Sequence, residues 1–205
     1  MNRVHSSVSQ KLSRMAGLAI LTAIIVVVQV ICTFVKFGPF SITLSLAPII
    51  VGAAIYGVSG GAYLGFMMGL VVFVTGLFGW DGGTVLLLVG QNAFATALIC
   101  LVKSTAAGAV AGLIYRAVKR KSPLCGVLLS GIACPIINTG LFIAGMLVFF
   151  LSTLQSWANG QQLLNYVIIG LTGINFLVEL AVNLILAGAI TSIIKAVTSK
   201  KSHEF

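Results

Sequence analysis

Charged side chains are scarce in this sequence, and acidic ones are almost absent. Only 7% of the 205 residues are charged, and the acids are Asp81, Glu179 and Glu204 alone. Soluble domains carry about 25% charged residues, which cover their surface. Here 59% of the residues are hydrophobic, and lipid requires no polar surface over most of a protein. The composition therefore predicts an integral membrane protein and excludes a water-soluble fold.

The side chains from which most catalytic and metal sites are built are also missing. The two histidines, His5 and His203, lie in the terminal tails, and the four cysteines have no metal-ligand spacing. Three acids offer no neighbouring pair for acid–base catalysis. The phosphate-binding run G-x-x-x-x-G-K-[ST] is absent, so the chain cannot hydrolyse ATP by that route alone. We expect no enzyme activity, no catalytic residue, no metal and no cofactor.

Basic residues give the chain a net charge of +9, but their placement argues against nucleic acid. They flank long apolar segments, and no contiguous basic face with stacking aromatics appears. Flanking clusters of this kind mark the cytoplasmic ends of membrane spans. The clusters are Arg3, Lys11 and Arg14, then Arg116, Lys119, Arg120 and Lys121, then Lys195, Lys200 and Lys201.

Hydropathy divides the chain into six candidate spans, at about 15–35, 43–56, 60–78, 91–115, 124–152 and 163–196. With both termini in the cytoplasm, ten of the twelve Lys and Arg residues fall on that side; Lys36 and Lys103 are the exceptions. We therefore expect an all-α bundle of six transmembrane helices. It forms one membrane domain over 1–205, multi-pass in the plasma membrane.

A few polar side chains interrupt the spans near mid-depth. Lys103, Asn138 and Glu179 each lie about a dozen residues from either interface, and helices rise about 1.5 Å per residue. Asn175, Glu179 and Asn183 are four apart, so they share one helical face. A charge at mid-membrane costs about 2.5–3.5 kcal/mol on insertion scales. Two interpretations follow: Lys103 and Glu179 neutralise each other, or the set lines a pocket for a polar small molecule.

Small residues recur at four-residue spacing in three of the spans. Glycines do so in the third span (Gly61, Gly65, Gly69) and the fourth (Gly108, Gly112), and alanines in the first (Ala19, Ala23). Such stripes let helices approach closely. For the glycines we expect packing within the fold. The alanines could equally face another subunit instead of packing within the fold.

Taken in order, several features resemble the substrate-binding S components of energy-coupling factor (ECF) vitamin transporters. The six-span layout covers nearly the whole chain. The resemblance rests on four sequence features: the segment 41–52 (SITLSLAPIIVG), the glycine-rich third span, the run 111–115 (AGLIY) before a basic loop, and Asn175-x-x-x-Glu179-x-x-x-Asn183. Each motif is loose, but their joint order is quite specific.

The resemblance implies a bacterial vitamin receptor that captures its ligand outside with high affinity. It docks on a transmembrane coupling subunit that carries two ATPases, which fits the missing phosphate-binding loop. In the family an Ala-x-x-x-Ala stripe contacts the coupling subunit, and Ala19 and Ala23 match it. The resemblance places the binding pocket at Lys103, Asn138, Asn175, Glu179 and Asn183, with Trp80, Gln91 and Asn92 as further candidates.

A further resemblance, in a short segment, narrows the choice of vitamin. Residues 135–142 (PIINTGLF) look most like pantothenate-type members, and an anionic pantothenate would suit Lys103. Riboflavin or another vitamin on the same scaffold stays open. So does a secondary transporter with Glu179 as its ion site, although no two halves show matching Gly/Pro-broken spans. A purely structural membrane subunit is disfavoured by the charges at mid-membrane.

Overall fold

Long helices make up nearly all of the described chain. The computed structural model describes residues 2–34, 36–37, 40–41 and 44–203. Five helices are long: α1 (Asn2–Thr33), α2 (Leu46–Leu77), α3 (Thr84–Val118), α4 (Pro123–Phe149) and α7 (Ile174–His203). Shorter elements are α5 (Leu151–Ala158), α6 (Leu163–Asn165) and a π-helix (Tyr166–Gly173). Strands β1 (Lys36–Phe37) and β2 (Phe40–Ser41) form one antiparallel pair. The expected helical class is confirmed, with this small hairpin added.

Five helices of the described chain are long and apolar enough to cross a membrane. The shortest segments, Lys11–Thr33 and Asn175–Val197, have 23 residues each, or about 35 Å at 1.5 Å per residue, against a hydrocarbon core of about 30 Å. Large apolar side chains face outward along them, such as Ile185, which is 79% exposed. The protein is therefore a multi-pass membrane protein. The expected count of six spans is not confirmed.

The difference in count arises in α2, which contains both the second and the third predicted span. Gly57, inside α2, has φ 76° and ψ −167°, a conformation that only glycine adopts readily. The Leu64 side chain contacts Gly52, although twelve residues of straight helix would separate them by about 18 Å. The chain therefore folds back at Gly57, which divides α2 into a first arm (46–56) and a second arm (58–77).

The first arm is too short to cross a membrane by itself. Its eleven residues rise about 16 Å, roughly half of a hydrocarbon core. The Ser45 hydroxyl donates to Gln29 Oε1 over 2.7 Å, so the arm begins beside the last turns of α1. Tyr56, at its other end, contacts Gly17. The predicted boundaries at 35 and 43, and residues 42 and 43 of the segment 41–52, lie outside the described residues.

The second arm of α2 packs directly on the backbone of α3. A Cβ at any of three glycines would overlap a carbonyl oxygen of α3, which is why helix axes can approach so closely there. The prediction that these glycines serve internal packing is confirmed. The pairs are Gly61 with Gly108, Gly65 with Ser104, and Gly69 with Cys100.

Basic residues from separate helices gather at one end of the bundle, which we call the basic end. Arg14, in the first half of α1, donates to Ser59 Oγ over 2.8 Å, next to the Gly57 turn. Gly112 of α3 contacts the same turn, and Arg116 follows one turn later. This clustering is the arrangement that the positive-inside rule requires. That the basic end faces the cytoplasm, with both termini, stays a prediction.

Two apolar clusters fill the interior. The first is nearer the basic end and joins α1, α2, α3, α4 and α7; the second, nearer the opposite end, joins α3, α4, α5 and the π-helix. Along α3 the first cluster includes Ala107 and the second Ile99; along α4 the first includes Cys134 and the second Met146. Two buried polar side chains, Ser104 of α3 and Asn138 of α4, lie in the stretches between the clusters.

Candidate functional site

A group of buried polar side chains lies along α4, on which α3 and α7 each pack. The exposed fractions are 0% for Ser104, 3% for Asn138, 4% for Glu179 and 2% for Asn183. We call these four residues the polar layer. Burying a carboxylate and amides at membrane depth is costly, so such groups commonly mark a pathway or a binding site. Three of the four were predicted from the sequence.

Ser104 is the member that sequence analysis missed. Its hydroxyl oxygen is 3.5 Å from Asn138 Oδ1 and 3.3 Å from the Cys100 carbonyl oxygen, so its single proton is shared between these two acceptors. The second bond is the ordinary one that serine makes inside a helix, and a lone serine in a span gives no other signal. Only the packing of α3 on α4 shows that it also reaches Asn138. Ser104 therefore helps to orient the Asn138 amide.

Glu179 and Asn183 are held against α4. The Asn183 amide donates to the Gly131 carbonyl at 3.3 Å, and a Cβ added at Gly131 would make only an ordinary van der Waals contact with Asn183. Glu179, one turn before Asn183 on the same face of α7, is buried as well. The helical face predicted for α7 is therefore the face that packs on α4. Asn175, one turn further from the basic end, is half-buried.

Lys103 lies beside the polar layer rather than in it. The side chain is half-buried, and its Nζ is 4.9 Å from the centroid of the Phe142 ring. Phe142 is one helical turn from Asn138, on the side away from the basic end. A cation over an aromatic face is stabilised by roughly 0.5–2 kcal/mol. This contact holds the ammonium group near the layer without neutralising its charge.

Gln91 and Asn92 mark a break in α3. Asn92 has φ −156° and ψ 94°, and its Oδ1 accepts from the Ala95 backbone N–H at 3.0 Å, so it caps the helix that resumes after the break. Gln91 accepts a hydrogen bond from the Thr153 hydroxyl, which ties α5 to this point. Both predicted residues are exposed and have structural partners. Contact with a ligand stays a prediction for them.

Trp80 lies at the end of the bundle opposite the basic end. It is 45% exposed, and its ring stacks on Phe34 with centroids 5.8 Å apart. The neighbouring Asp81 is buried and accepts from the Gly83 and Val85 N–H groups at 3.0 and 2.8 Å. These bonds fix the turn between α2 and α3. Trp80 is thus placed over one end of the bundle, separate from the polar layer.

Ala19 and Ala23 are exposed on α1, as a partner surface would require. Large apolar side chains beside them are exposed as well, such as Ile20 at 62% and Val27 at 58%. Only 17% of the apolar window of this helix is buried inside the protein. Lipid or another subunit must cover this face.

The chain is similar to known proteins over nearly its whole length. Residues 13–198 match the family model described as "ECF transporter, substrate-specific component". The Pantothenic acid transporter PanT of Lactococcus lactis subsp. cremoris (strain MG1363) is 30% identical over 203 residues, which covers 94% of this chain and 97% of that protein. The family match includes every residue of the polar layer together with Lys103, Ala19 and Ala23.

Proposed function

This chain belongs to the ECF transporter substrate-specific components, and on that premise we propose that it binds pantothenate for import. Members of such a family are transport subunits rather than enzymes. The membership also favours a receptor over an ion-coupled carrier. Under this proposal Glu179 is a hydrogen-bond acceptor for the ligand and not an ion site.

One observation supports pantothenate above other vitamins. The relative that is 30% identical over nearly the entire chain is named for pantothenic acid. Pantothenate carries a carboxylate, an amide and two hydroxyls, and the residues around the polar layer offer complementary groups. Lys103 supplies a cation for the carboxylate, while Asn138 and Glu179 supply an amide and an acceptor for the hydroxyls and the amide. Riboflavin has no carboxylate, so it would leave the Lys103 charge unanswered.

Uptake, in this proposal, needs partner subunits. The ligand enters from outside, and the loaded chain docks on a transmembrane coupling subunit that carries two ATPases. The exposed Ala19 and Ala23 are our candidates for the contact with that coupling subunit. Small side chains there would let a partner helix approach α1 closely.

The experiment that tests the substrate is isothermal titration of the purified protein in detergent. The panel is pantothenate, riboflavin, folate, thiamine and biotin, with no ATPase present. Tight one-to-one binding of pantothenate alone supports the proposal. Tight binding of riboflavin or another vitamin would keep the receptor function and replace the substrate. If no vitamin binds, a ligand outside this panel has to be sought for the same scaffold.

A further inference from the structure

A cleft of about 600 Å³ opens at the basic end of the bundle, and none of the four residues of the polar layer lines it. It lies between the Gly57 turn of α2 and the C-terminal part of α3. Its lining has two zones: an apolar wall and a basic rim. The wall is formed by Ala53, Ala54, Ile55 and Leu113, and the rim by Arg116, Lys119 and Arg120; we call this the basic cleft.

The basic cleft is electrostatically positive. None of the described residues that line it is acidic. The C-terminus of α3 contributes a partial negative charge of about one half, which leaves an excess of roughly two and a half positive charges from the three side chains. The Nζ of Lys119 also lies 6.0 Å from the ring centroid of Tyr115, which is itself a lining residue, so this cation is at the cleft. The site therefore attracts an anion.

The apolar wall and the basic rim match the two parts of a phospholipid, which are its acyl chains and its headgroup. From Leu113 to Arg120 the helix rises about 10 Å, from the apolar interior to the level of the headgroups. Leu113 is 54% exposed, so the wall is open to acyl chains. A free phosphate ion would use the rim alone and gain nothing from the wall. An anionic lipid would use both.

We propose that the basic cleft binds the phosphate headgroup of an anionic phospholipid, with an acyl chain along the apolar wall. By the positive-inside rule this lipid belongs to the cytoplasmic leaflet. Basic pockets between membrane helices on that side are suited to such headgroups. The proposal is independent of which vitamin the chain binds, because the cleft and the polar layer share no residue.

The test is native mass spectrometry of the full chain, released from detergent that contains equal amounts of phosphatidylglycerol and phosphatidylcholine. The cleft variant combines Arg116→Gln, Lys119→Gln and Arg120→Gln. A control combines Lys11→Gln, Lys121→Gln and Lys195→Gln, which removes the same charge from exposed positions outside the lining. We expect the cleft variant to retain about a hundredfold less phosphatidylglycerol, because it removes three cations and each cation near the membrane surface accounts for roughly a fivefold change. The control should stay close to the unmodified chain.

A second variant tests the cleft without changing charge. Ala117 lines the cleft and is exposed, so Ala117→Trp should fill it while sparing the core. Ala196→Trp, exposed at the same end on α7, is the matched control. Phosphatidylglycerol retention should fall for the first and not for the second. If the size-exclusion profile shows that the triple cleft variant does not fold, Ala117→Trp and Ala196→Trp still test whether the lipid binds in the cleft.

Three results would overturn the proposal. Equal retention of the two lipids would remove the selectivity for an anionic headgroup. An equal loss of phosphatidylglycerol in the cleft variant and the triple control would mean that the lipid is attracted to positive charge anywhere on the protein and not to the cleft. Inorganic phosphate that displaces the lipid and raises the melting temperature as much as phosphatidylglycerol does would make free phosphate the ligand.

Discussion

The charge of Lys103 is expected to decide between pantothenate and pantothenol, its uncharged alcohol analogue. The two ligands share the amide and the hydroxyls and differ only at the carboxylate. Lys103 is half-buried, and its Nζ lies 4.9 Å from the centroid of the Phe142 ring. The variant Lys103→Met removes the charge but keeps an unbranched apolar chain. Methionine sulfur also packs well on an aromatic ring.

The size of the effect follows from the bond that is lost. A hydrogen bond to a charged group contributes about 1.5–3 kcal/mol, which corresponds to roughly 10–150-fold in affinity. The unmodified chain should therefore prefer pantothenate over pantothenol by a factor in that range. In Lys103→Met, pantothenate binding should weaken by the same factor, while pantothenol binding should change little.

The assay is titration calorimetry of both ligands with both proteins. Lys121→Met serves as the control because Lys121 is an exposed lysine just beyond the end of α3. If Lys103→Met weakens both ligands equally, Lys103 has a structural role instead. If it weakens neither, Lys103 does not contact the ligand, and the assignment of the carboxylate to it is refuted.

Two further predictions concern other parts of the fold. Ala19→Trp or Ala23→Trp should abolish vitamin uptake by cells yet leave ligand binding by the purified chain unchanged; lost binding would show a folding role. Gly57→Ala should lower the free energy of unfolding by about 1–3 kcal/mol, the cost of that backbone conformation for other residues, measured by denaturation in detergent followed by circular dichroism. Gly188→Ala, in open space on α7, should keep or raise stability, and equal losses in both variants would contradict the proposed turn.

The sequence alone determined the class of the protein and several positions in its interior. Scarce charge and long apolar runs are local properties, and they suffice to predict membrane helices because the solvent is lipid. The four-residue spacing of Glu179 and Asn183 likewise fixes a shared face, since helix geometry is periodic. Both residues are indeed buried against α4. The glycine stripe of α2 was predictable for the same reason.

Only the tertiary structure decided how these parts meet. Hydropathy separated 43–56 from 60–78, but the fold-back at Gly57 and the short reach of the first arm depend on contacts across the turn. The capping role of Asn92 depends on a backbone break in α3. The place of Ser104 in the polar layer depends on its contact with Asn138 of the neighbouring α4. The basic cleft arises because the α2 turn meets the end of α3. Such features require residues distant in sequence to come together, and no local pattern encodes that.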